Sequence, residues 1–100
     1  MLTAIGRIRE YTRDLDREAF LRDARTIDAV VRNLEVIGEA TKKIPVELRA
    51  CAPDVEWRKI MGMRDLIAHV YFDIDLNAVW DVVTTKLDSL EAGVRRLRGN

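Results

Sequence analysis

At 100 residues, with 17 lysines and arginines set against 17 aspartates and glutamates, the chain has the length of one domain and no net charge. That balance excludes the global positive field that draws nucleic acid to strongly basic domains, so any RNA contact must be a local cluster. One cysteine, Cys51, and one histidine, His69, fall short of an intrachain disulfide or a zinc site, and no stretch approaches the roughly 20 apolar residues of a membrane span; the expectation is a cytoplasmic protein with no metal and no cofactor.

From the N-terminus, Leu2, Ile5, Ile8, Thr12 and Leu15 step by three and four, the stripe of an amphipathic helix, with Arg7, Arg9 and Arg13 on its other face. The pattern breaks around Asp14-Leu15-Asp16, and Asp16 is placed to cap a short helix holding Phe20 and Leu21. Ile27, Val31, Leu34, Gly38 and Thr41 then continue the stepping, widened by Val30 and Ile37, and predict a long core helix over residues 24 to 43. Glu35 and Glu39 stand one turn apart on its polar side, a spacing that can bring two carboxylates to a site but is more often a solvated face. Gly38 costs about 1 kcal/mol relative to alanine in a helix, which the close approach of another helix would explain.

Pro45 ends that helix, and residues 45 to 52 are expected to form a short turn or helix before Pro53-Asp54. Asp54 is read as the cap of the next helix, residues 55 to 71, and Asp75 as the cap of the last. In that last helix Leu76, Trp80, Val83, Leu87, Leu90, Val94 and Leu97 alternate four and three, as in a coiled-coil seam or, the blander reading, a helix of a bundle. Arg95, Arg96 and Arg98 crowd its final turn, where cations complement the helix dipole and could also touch phosphates. No alternating strand pattern competes. The fold is expected to be all-α, an up-and-down four-helix bundle with one or two short extra helices in a single domain spanning 1–100. About a third of the unfolded surface stays exposed at this size, so a partner subunit would help.

The chemistry-bearing stretch is Met63 to Phe72, which gathers Arg64, Asp65, His69 and Tyr71. Neutral imidazole can take and give a proton near neutral pH, and arginine is a permanent cation matched to phosphate oxygens. At about 100° per residue Asp65 and His69 fall about 40° apart, one turn from each other, and Tyr71 falls about 20° from Arg64. Ile60, Met63, Leu66, Ile67 and Val70 fill the arc from roughly 200° to 320°, so His69 points away from most of the apolar face. A lone histidine of this kind is more often a satisfied core or surface side chain than a catalyst; its position on the wheel weakens the core version.

Arg64-x4-His69-x-Tyr71 resembles the R-x4-H-x-Y signature of the HepT-like toxins, a branch of the HEPN superfamily of small helical ribonucleases. The stretches Arg32 to Ala40, Trp57 to Met63, Tyr71 to Asp75 and Val79-Trp80 are similar to the same family in the same order, so the likeness covers essentially the whole chain. One departure is Asp65, a position often occupied by asparagine in such proteins. The resemblance implies a HEPN-like homodimer whose motif helices line a shared cleft. It implies metal-independent cleavage of single-stranded RNA, with Arg64 and His69 catalytic and Asp65 supporting them. It further implies the toxin of a type VII toxin–antitoxin pair, neutralised by AMPylation of Tyr71 by an MNT-type nucleotidyltransferase antitoxin. Two other functions stay open: a non-catalytic nucleotide- or RNA-binding module would keep Arg64 without needing His69 to titrate, and a structural partner subunit of a nucleotidyltransferase would need neither.

Overall fold

The structure, a computed structural model, describes residues 1–62 and 76–98. Its order is α1 (Leu2–Thr12), α2 (Arg17–Leu21), α3 (Ala24–Lys42), α4 (Val46–Arg49), α5 (Trp57–Met61), α6 (Leu76–Asp81), a π-helical turn (Val82–Lys86) and α7 (Leu87–Leu97). The described residues are all helix and connection, without a strand, and form a HEPN-like helical bundle.

The apolar stripes set the packing. Ala4, Ile5 and Ile8 of α1 close against Val30, Val31, Leu34 and Ile37 of α3, and α7 adds Leu87, Leu90 and Val94 to the same core. The buried hydroxyls of Thr12 and Thr41 donate to carbonyls of their own helices, Ile8 O and Ile37 O, both at 2.8 Å, which spares the core an unsatisfied polar group. Asp16 caps α2 as expected, accepting from Ala19 N at 2.8 Å. Asp23 does the same for α3, accepting from Thr26 N at 3.0 Å, so two consecutive short-range signals fix the tight corner between α1 and the long helix.

Two expectations are corrected. Asp54 does not cap the helix that follows it: α5 begins at Trp57 after Glu56, and the Asp54 carboxylate instead accepts from Arg96 of α7 at 3.0 Å, a partner 42 residues away. The last helix is not one regular helix either. Thr84 and Thr85 donate to Trp80 O and Asp81 O, at 2.9 and 2.6 Å, inside a π turn that separates α6 from α7, so no unbroken coiled-coil seam forms. Val79, which the four-three stepping passes over, is the fully buried residue of α6.

One close approach depends on glycine. Gly93 of α7 is buried, and a β-carbon there would lie 2.3 Å from Val55 Cγ2 and 3.4 Å from Ala52 Cβ. Val55 is buried and β-branched, so it has little freedom to move aside. Gly93→Ala should therefore destabilise the chain by about 1–2 kcal/mol, the overpacking cost less the helix-propensity gain. Gly6 of α1 is exposed with nothing near its virtual β-carbon, and Gly6→Ala should add about 0.5–1 kcal/mol. Urea midpoints of the two variants should move in opposite directions; a common direction would mean that the contact at Val55 does not govern the packing.

Candidate active site

Arg64, Asp65, His69 and Tyr71, with the Asp75 cap, lie outside the described residues. What the structure gives is the frame from which that stretch departs and to which it returns. The departing side is α5. The indole of its first residue, Trp57, is buried, and Nε1–H donates to Arg49 O at 2.9 Å and Ala52 O at 3.0 Å, tying α5 to the end of α4. Ile60 enters the core, and α5 packs on α3.

The returning side is α6. Its Trp80 ring lies 5.0 Å from that of Phe20 in α2, a tilted aromatic pair, and Arg17 Nε donates to Asn77 Oδ1 at 2.8 Å. The short α2, held in place by its Asp16 cap, thus clamps the start of α6.

Between the two sides lies a groove of about 370 Å³, walled by Ile60, Ala78 and Val82 and rimmed by Glu56, Lys59 and Lys86. Glu56 bridges the groove, accepting from Lys86 at 2.8 Å and Lys59 at 3.1 Å. Those hydrogen bonds, Lys86 first, hold the Glu56 carboxyl below its ordinary value, and Glu56 in turn pushes Lys86 up. The π turn matters here, because its i to i+5 closure brings Asp81 and Lys86 to the same side, and the Asp81 charge adds to the upward push on Lys86. None of these groove residues stands out in the sequence. Glu56 and Lys59 read as an ordinary helix pair, and Lys86 lies 30 residues from Glu56.

The other charges weighed in the sequence sort plainly. Glu35 and Glu39 are exposed on α3, and Glu39 holds Lys42 at 3.2 Å. Of the C-terminal arginines, Arg95 donates to Glu91 at 3.0 Å and Arg96 to Asp54, which engages both with carboxylates. Glu91 also accepts from Arg9, which reaches Asp88 as well, and the two arginines, Arg9 first, hold the Glu91 carboxyl below its usual range. These pairs bind α1 to α7 and are structural. Among the described residues no three His, Cys, Asp or Glu side chains gather as metal ligands, and no helix is long and apolar enough to cross a membrane.

A family model described as ribonuclease HepT-like matches residues 1–97. The chain belongs to the HepT-like ribonuclease family. Among the relatives of this HepT-like chain, a Thermococcus cleftensis protein described as "probable ribonuclease HepT" is 41% identical over 95% of the chain and 86% of its own length. A candidate RNase of Caldanaerobacter subterraneus is 35% identical over 88% of the chain and 79% of its own length. In Methanocaldococcus jannaschii, a protein described as a gamma-glutamylcyclotransferase and candidate RNase is 34% identical over 97% of the chain, which spans 44% of that longer protein. No solved structure matches. With the family comes the enzyme class: a HEPN-type endoribonuclease acting on RNA.

Proposed function

We propose that this HepT-like ribonuclease is the toxin of a type VII toxin–antitoxin pair, acting in the cytoplasm as a homodimer on single-stranded RNA. The observation that carries the reading is that the family match over residues 1–97 includes the whole Arg64-x4-His69-x-Tyr71 motif. His69 takes the proton from the ribose 2′-hydroxyl, whose oxygen attacks the phosphorus as the bond to the 5′-oxygen breaks. The leaving oxygen receives a proton from the imidazolium of His69 or of its twin in the second subunit. Arg64 binds the scissile phosphate and stabilises the charge that builds on it. Asp65, four residues before His69 in the sequence, orients the imidazole and favours its protonated form. The products are a 2′,3′-cyclic phosphate and a 5′-hydroxyl. Pairing the motif helices of two subunits would double Arg64 and His69 and give a neutral protein a local positive site.

Tyr71 is the regulatory handle in this reading. An MNT-type nucleotidyltransferase antitoxin transfers AMP to its hydroxyl, adding bulk and a negative phosphodiester that pairs with Arg64 where the substrate phosphate would sit. The test is one preparation made twice. The chain purified alone should cleave single-stranded RNA in a metal chelator, leave DNA of the same sequence intact, and scatter light as about twice its 11.5 kDa mass. The chain co-expressed with the nucleotidyltransferase encoded beside it should carry AMP on the Tyr71 peptide, keep its fold and no longer cleave. AMP on Tyr11 instead, or neutralisation without AMP, would replace modification by sequestration; DNA cleavage would remove the 2′-hydroxyl mechanism.

A further inference from the structure

Where α4 turns into α5 there is a second, shallow cavity, also of about 370 Å³, lined by Arg49 and Arg58 against Val46, Pro53, Trp57 and Met61. Its two cations share one cavity and, among the described residues, are free of the carboxylate pairing that occupies the arginines between α1 and α7. Arg9, Arg95 and Arg96 are each matched to a carboxylate, whereas among the described residues no carboxylate pairs with Arg49 or Arg58. Arg49 is also poorly satisfied among the described residues. Its Nη1 donates to Met61 Sδ at 2.8 Å, a weak acceptor, and its buried Nε–H has no acceptor among the described residues. A guanidinium fixed at the edge of an apolar cavity with donors unspent is matched to an incoming oxyanion, and the planar donor fork of arginine suits phosphate.

We propose that Arg49 and Arg58, which line one shallow cavity between α4 and α5, form a phosphate-binding subsite that holds the RNA strand a few nucleotides from the cleavage point. The inference rests on the ribonuclease reading for the identity of the anion. Three observations favour a strand backbone over a free nucleotide. The cavity is open and shallow, its charge is the local cluster that a protein of zero net charge needs in order to touch RNA, and α5 leads directly into the motif stretch.

The experiment is RNA binding by the full chain carrying His69→Ala, followed by fluorescence anisotropy of a labelled single-stranded 12-mer at several salt concentrations. Arg58 is exposed, so Arg58→Ala leaves the fold alone; it should weaken binding about tenfold and lower the slope of log K against log salt by about 0.7, the share of one single-strand phosphate contact. Arg49→Lys, which keeps the charge and removes the fork, should weaken binding by a smaller factor. An unchanged slope for Arg58→Ala, or an equal loss from Arg22→Ala on the remote surface of α2, would overturn the subsite. The two readings fail separately. A wild-type chain that binds RNA through Arg58 but never cleaves it removes the catalytic proposal and leaves the subsite standing, whereas a chain that cleaves RNA and binds it equally well with Arg58→Ala does the reverse.

Discussion

His69→Ala is expected to slow RNA cleavage about 10²–10⁴-fold, the range over which a positioned general acid–base group acts, and so to convert growth arrest on expression into normal growth. Arg64→Ala should cost a similar amount by a different route, since it removes a charge aimed at the developing oxyanion; loss of one such donor is worth about 10²–10³. Since the proposed mechanism has both residues serve one transition state, the double variant should be scarcely slower than the worse single one. Helical circular dichroism and melting must survive in each variant. Variants that stay toxic would end the ribonuclease mechanism, and variants harmless only because they unfold would make His69 a structural residue.

The largest stability effect is expected at Phe20. It is fully buried, stacks on Trp80, and through α2 fixes the point at which the chain returns from the motif stretch. Phe20→Ala should cost about 3–5 kcal/mol and lower Tm by roughly 15–30 °C, a large fraction of the stability of a small domain. Phe20→Leu, which refills most of the volume, should cost less than about 1.5 kcal/mol. Thermal melts followed by far-ultraviolet dichroism decide it. Equal losses from the two would show that the aromatic pair, rather than the filled volume, holds α2 to α6.

The contrast between what the sequence predicts and what the structure holds follows the range of each interaction. The long helix α3 and the cap at Asp16 rest on residues within a turn of one another, and the periodicity of Val30, Leu34, Ile37 and Thr41 is enough to find them. Asp54 has the local form of a cap, a proline and an aspartate ahead of an apolar run, while its partner Arg96 is fixed only by tertiary packing. The π turn was hidden for a related reason: the step from Val83 to Leu87 is four residues, the same count a regular helix would use. The groove bridged by Glu56 appears only when distant segments meet, and the cavity of Arg49 and Arg58 only when the turn between α4 and α5 closes. The Arg64-x4-His69-x-Tyr71 motif is the opposite case. It is recognised by ordered residue identities, which no packing argument supplies.

The π turn has a consequence for how the last helix accommodates its neighbours. Its first half is phased to α2, through Trp80 on Phe20, and its second half to α1, through Leu87, Leu90 and Val94. A rigid cylinder would have to satisfy both neighbours with a single rotational setting. The extra residue between Val82 and Lys86 uncouples the settings, and the hydroxyls of Thr84 and Thr85 fill carbonyls that the wider spacing leaves available. The helix therefore works as two gears on one shaft with a slipped tooth between them. Removing one residue there would re-engage them and turn one half by about 100°, the angle of a single helical step, out of mesh with its partner.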